Sequence, residues 1–192
     1  FRRQQGHGRG GRMKIEKDRA EIWCGVRHGK TLGSPIGLLV QNKDWENWTN
    51  KMSVSPVDNK IKKIILPRPG HADLAGIKKY GFDDIRNVLE RSSARETAMR
   101  VALGSVCRKF IEEFGIQVGS RVVQIHNVKD KTEIGKNISP NELSKKVDLS
   151  PVRCIDKEIE LEMIKAIDEA KAAGDSVGGI FNVIATGLPY GL

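Results

Sequence analysis

The chain has 192 residues, with 33 Lys and Arg against 24 Asp and Glu and a formal charge of +9 at pH 7, so it can bury the core of one sizeable domain and presents a surface that attracts anions, whether nucleic acid, anionic lipid or a polyanionic small molecule. Cys24, Cys107 and Cys154 are odd in number and widely spaced, which excludes a disulfide framework and a metal-ligand pair and fits a reducing, cytoplasmic setting. No apolar run approaches the ~18 residues of a membrane span, and no signal-peptide pattern precedes the first charges.

Residues 1–12 are rich in Gly and Arg and lack apolar periodicity, which predicts a basic loop shaped by what it binds. An RGG-type nucleic-acid arm is the other reading, although one RGG unit, many interspersed acids and an aromatic content of 5% weigh against it. Residues 13–17 and 21–26 alternate around an Asp18-Arg19 turn and predict strands, arranged as a hairpin. Gly25-x-x-x-Gly29-Lys30-Thr31 imitates a phosphate-binding loop but has three residues between its glycines where four are needed. Gly33 and Pro35 also oppose the helix such a loop must feed, so an NTPase is rejected. Residues 36–40 predict a short buried strand, and Trp45 and Trp48 are read as packing or interface residues.

Pro67-Arg68-Pro69-Gly70-His71-Ala72-Asp73 is a rigid loop, since two prolines fix the backbone and Gly70 permits an unusual turn. Such a loop suits a proton-transfer group, and His71 is the candidate. Asp83-Asp84 reads as solvated capping acids without a catalytic part. Ser93 followed by Glu96 is a capping box that starts a helix at Ala94. Arg91, Ser92, Ser93 and Arg95 crowd that helix start with donors suited to phosphate or carboxylate. The helix is expected to reach about residue 114, with Ala98, Val101, Ala102, Phe110 and Phe114 available for packing and Gly115 as its stop. One long strand is expected over 116–128. Ser139-Pro140-Asn141-Glu142 predicts a second capping box and a short helix. A further helix over about 157–173 carries an apolar stripe of Ile159, Met163, Ala166, Ile167 and Ala170, and 176–186 returns as a strand. The order of elements predicts a single α/β (α+β) domain of helices layered on mostly antiparallel sheet.

Glu90-x-x-Ser93-Ala94-Arg95-x-Thr97-x-x-x-Val101-x-x-Gly104-Ser105-Val106 resembles a signature of the chorismate synthase family. Gly8-Arg9-Gly10-Gly11-Arg12-Met13-Lys14-Ile15-Glu16, Gly25-Val26-Arg27-His28-Gly29-Lys30-Thr31 and Arg68-Pro69-Gly70-His71-Ala72-Asp73 are similar to other blocks of that family, in the same order. The resemblance implies elimination of phosphate from 5-enolpyruvylshikimate-3-phosphate to give chorismate, with reduced FMN as cofactor and NADPH as its reductant. It also implies a homotetramer acting on a small anionic substrate, with no nucleic acid or membrane partner. Carried over residue by residue, Arg3, Arg9, Arg91, Ser92 and Ser93 would contact cofactor, Arg9, Arg12 and Arg95 substrate, and His71 would transfer a proton beside the flavin. The family's Gly-Glu-Ser-His-Gly block, with its second histidine, and its C-terminal half, with an aspartate and further flavin contacts, have no counterpart here. With Phe1 at the start and Gly191-Leu192 at the end, the sequence is expected to be a segment of a longer polypeptide.

Overall fold

The computed structural model describes residues 6–8, 19–57, 61–135 and 137–191. The strand expected over 13–17 and the candidate residues Arg3, Arg9 and Arg12 lie outside the described residues. The chain divides into two compact units, Asp18–Gly104 and Ser105–Leu192 with the N-terminal segment.

In the first unit, β1 (Ala20–Cys24) pairs antiparallel with β4 (Gly37–Val40), with a bulge between Ile22 and Cys24. Between them, β2 (Val26–Arg27) and β3 (Lys30–Thr31) form a two-residue hairpin. His28 at φ 49° and Gly29 at φ 75° occupy its turn, the paired left-handed conformations that match the twist of hairpin strands. The glycine-lysine run is therefore a hairpin tip. Trp48 packs: its indole N–H donates to Asp44 at 2.7 Å, and the Arg86 guanidinium lies 5.5 Å from its ring centre. Two short helices follow, α1 (Asp73–Tyr80) and α2 (Arg86–Leu89), with Ile85 and Val88 buried. Asp84 joins them to the preceding strand-like segment by accepting from the amides of Ile64 and Arg86 at 3.2 and 2.9 Å, while Asp83 pairs with Lys63.

Helix α3 (Ala94–Glu112) begins at the expected residue. Its packing departs from expectation. Val101, Phe110 and, just past the helix, Phe114 are exposed, the two phenylalanine rings lie 5.2 Å apart, and no residue of α3 is buried. Apolar spacing marks which side chains share a face, but burial needs an opposing element, and none among the described residues covers these.

The second unit is a three-stranded antiparallel sheet in the order β6-β5-β7, formed by β5 (Gln117–Ile125), β6 (Val128–Lys129) and β7 (Gly179–Thr186). The single strand expected over 116–128 is thus two strands, with Ile125 opposite Val128 and a turn at His126, φ 55°. Alternation continues through so short a turn, so period-two patterning does not register the reversal. Helices α4 (Pro140–Val147) and α5 (Lys157–Ala172) pack against this sheet. Gly119 on β5 permits the approach of α4, because a Cβ there would fall 2.4 Å from the Pro140 carbonyl oxygen. The α5 stripe faces inward as expected: Met163 and Ala166 are buried, and Ile159 and Ile167 pack with Val122, Ile125, Val128, Val152 and Cys154.

Among the described residues of this unit, three charged ones are buried, Arg121, Asp130 and Glu160, and Arg121 Nη1 lies 3.8 Å from Asp130 Oδ2. Burial alone would raise the Asp130 carboxyl, but bonds from Thr132, the Ile155 amide and the Cys154 thiol outweigh it and bring the pKa down to about 2. Burial first, then Asp130, pushes the Cys154 thiol up to about 12, which makes it a structural rather than reactive cysteine. Because the folded pKa of Asp130 lies below its ordinary 3.8, its contribution is complete above about pH 4 and is lost as pH falls toward 2. The loss should be on the order of 2 kcal/mol. Denaturant unfolding of wild type and Asp130→Asn across that range checks this, the variant being less stable at neutral pH and flatter with acid.

Candidate functional site

The histidine loop is built around a carboxylate. Asp73, the first residue of α1, has 0% exposure. Its Oδ2 accepts from the Arg68 amide and Nε, each at 2.9 Å, and its Oδ1 from Arg68 Nη2 at 2.9 Å. His71 Nδ1 lies 3.1 Å from the same Oδ1. The side-chain bonds of Arg68, then its amide, hold the Asp73 carboxyl well below the usual carboxylate range. Gly70, at φ 67°, makes the turn that folds Arg68 and His71 back onto Asp73. The imidazole itself is 27% exposed, enough for one ring edge to meet a ligand. Arrangement and chemistry agree: an ionised acid orients an accessible acid-base group.

The second cluster lies at the start of α3. Arg91 stacks 5.0 Å from the ring centre of Tyr80, the last residue of α1. Arg95 pairs with Glu90 at 3.1 Å. Ser92 Oγ is buried with no hydrogen-bond partner among the described residues. Arg91 and Glu90 also line an open groove of about 470 Å³ with Met52, Phe82 and Asn87. His71 and Arg91 therefore flank opposite ends of one short helix, about 12 Å long at 1.5 Å per residue.

The capping box expected at Ser93 is not what starts α3. Ser93 sits at φ 58°, in the left-handed region rather than the extended conformation of a capping residue, and Glu96 turns outward to Arg100 at 2.5 Å. The Ser93 carbonyl holds the first turn, accepting from the Thr97 amide and hydroxyl at 3.0 Å each. At Ser139 the reciprocal box is complete: its hydroxyl accepts from the Glu142 amide at 3.2 Å, and Glu142 accepts from the Ser139 amide at 2.9 Å. The same sequence pattern thus has two outcomes. A non-glycine residue held in the left-handed region, beside a buried hydroxyl lacking a partner, is the kind of strain that a ligand site retains.

Sequence reasoning singled out His71 and the serine-arginine cluster as candidates but not Asp73, Arg68 or Tyr80, which the structure places around them. An acid two residues after the histidine, at the first position of a helix, was the available signal for Asp73. Among the described residues, no group of three His, Cys, Asp or Glu is placed to hold a metal ion. No described helix is long and apolar enough to cross a membrane.

An α/β framework with a carboxylate-held imidazole at one end of a helix and a guanidinium-lined groove at the other defines the class. The chain belongs to the chorismate synthase family, whose model, described as chorismate synthase, matches residues 1–192. It is 56% identical over 191 residues to a chorismate synthase of Alkaliphilus metalliredigens (strain QYMF), covering 100% of this chain and 49% of that protein. A chorismate synthase of Geobacillus sp. (strain WCH70) is 53% identical over 194 residues, covering 100% of this chain and 50% of its own length. A crystal structure of chorismate synthase superposes with a TM-score of 0.67 at 42% identity, over 88% of this chain and 45% of that one. The chain spans about half the length of the curated relatives it matches. The layered α/β architecture read from the sequence agrees with that structural likeness.

Because only one box is formed, the two serines should differ. Ser139→Ala should cost about 1 kcal/mol of stability, the usual scale for a lost cap. Ser93→Ala should cost clearly less. Paired urea unfolding curves of the two variants against wild type check the contrast.

Proposed function

We propose that the polypeptide containing this chain is a chorismate synthase, which converts 5-enolpyruvylshikimate-3-phosphate to chorismate and phosphate. The reading is carried by one observation: the family model matches every part of the chain, including the loop in which Asp73 holds His71. The reaction is a 1,4-elimination with anti geometry, in which a ring proton and the phosphate leave and a new double bond forms without net redox change. Reduced FMN, when bound, supplies transient electron density as the phosphate departs.

The residues of this chain fit that cofactor and substrate. Buried and without a partner among the described residues, Ser92 Oγ is ready for a ligand oxygen, and Arg91 brings a guanidinium to the neighbouring groove. Arg91, Ser92 and Ser93 are assigned to the FMN side and Arg95 to the substrate, with Arg3, Arg9 and Arg12 contributing from the basic loop of residues 1–12. Guanidiniums suit this task because planar, paired donors match phosphate and carboxylate oxygens. His71 holds and moves the proton beside the reduced flavin through Nε2, the ring nitrogen that does not face Asp73. NADPH is the assigned reductant, the assembly a homotetramer, the compartment the cytoplasm, and neither nucleic acid nor a membrane takes part. We place all 192 residues in one partial domain of that enzyme, inactive when expressed alone.

In the full-length enzyme, His71→Ala should preserve the fold and slow the chemical step by roughly 10²-fold or more. Substrate affinity should fall less, since the arginines bear the anionic contacts. Single-turnover phosphate release with FMN already reduced is the measurement. An unchanged rate together with a lowered melting temperature would make His71 a structural residue.

A further inference from the structure

We infer that Asp73 is a positioning residue that fixes the tautomer of His71, presenting Nδ1 as the protonated nitrogen and leaving Nε2 bare toward the reacting groups; this rests on the reading of His71 as the proton-transfer residue. Among the described residues, two charged groups face the imidazole, Arg68 and Asp73, and they ask for opposite tautomers. Arg68 Nη2 lies 3.0 Å from Nδ1 and can donate to it, which would put the ring proton on Nε2. Asp73 Oδ1 lies 3.1 Å from Nδ1 and can only accept, which puts the proton on Nδ1.

Counting lone pairs decides between them. The Asp73 carboxylate is wholly buried, so each unfilled acceptor position on it carries a desolvation cost. Oδ2 takes two donors, the Arg68 amide and Nε. Oδ1 takes Arg68 Nη2, and its second position is filled only if Nδ1–H donates. Arg68, by contrast, is 52% exposed on its side chain, so water can serve any N–H that does not reach the imidazole. Satisfying the buried acceptor therefore takes precedence over satisfying the exposed donor. Arg68 acts one step further out, as the clamp that keeps the carboxylate ionised and in place.

The test uses full-length protein labelled with ¹⁵N at its histidine rings. In wild type, the neutral His71 ring should show the Nδ1–H tautomer. Asp73→Asn keeps the shape but offers an amide N–H that can donate to Nδ1, so the tautomer should switch to Nε2–H. The single-turnover rate should then fall roughly 10²-fold or more with KM little changed. In the His71→Ala background, Asp73→Asn should add little to the loss already present. An Nε2–H tautomer in wild type overturns the proposal without any variant having to fold. An Asp73→Asn enzyme that keeps both tautomer and rate while melting earlier overturns it as well. Failure of the underlying assignment is distinguishable, because it shows as an unchanged rate in His71→Ala whatever the tautomer.

Discussion

A carboxylate with no access to solvent is the constraint on which the site depends. Asp73 opens α1 with its side chain shut away from water, and an ionised acid so placed is tolerated only when hydrogen-bond donors surround it. Those donors come from a few residues upstream. Arg68 gives three, from its amide, Nε and Nη2, and this is feasible only if the chain reverses tightly between Arg68 and Asp73. Pro69 and Gly70 make that reversal, the proline by fixing φ and the glycine by taking φ 67°. His71 closes the reversal, its amide 3.4 Å from the Arg68 carbonyl, and its ring meets the same carboxylate. Its orientation is thus set by the solution to a desolvation problem. The acid also lies at the positive end of α1, where its charge is favoured by the helix dipole.

From there the chain leads directly to the second cluster. Helix α1 ends at Gly81 in the left-handed conformation, α2 follows, and Arg91 folds back over Tyr80 at the far end of α1. One short helix therefore spaces an acid-base group from a guanidinium and a groove. This suits a ligand with an anionic end and a reacting end, such as a phosphorylated small molecule or a cofactor with its own phosphate. In the other unit a buried acid does different work: Asp130 ties Thr132, Ile155 and Cys154 together around the core beside Met163, and presents no histidine to solvent. Burial of a carboxylate is common to both; access of its partner to solvent is what separates a site from a strut.

Much of the architecture was legible in the residues. Helix α5 was readable because five apolar residues repeat at helical spacing, and α4 because Ser139 and Glu142 satisfy each other locally. Local chemistry of this kind is visible in any sequence. The failures share a physical reason, which is that they turned on contacts between distant residues or on a backbone angle. Glu96 had a choice between the cap and Arg100, and took Arg100. The turn at His126 interrupts an alternation that continues on either side. The apolar residues of α3 share a spacing that implies a buried face, yet Phe110 and Phe114 are each 66% exposed. For the candidate site, His71 and the serine-arginine run were singled out by their resemblance to family blocks. Asp73 was overlooked because an acid at a helix start has an ordinary explanation, and its burial and the three donors of Arg68 set it apart.

Chorismate formation by the full-length polypeptide tests the central claim most directly. Under anaerobic conditions, with FMN reduced beforehand and 5-enolpyruvylshikimate-3-phosphate supplied, chorismate and phosphate should appear in equal amounts over many turnovers while the flavin remains reduced at the end. Omitting reduced FMN should abolish the product. Absence of chorismate with properly folded, flavin-loaded protein, or consumption of one reduced flavin for each product formed, would contradict the account.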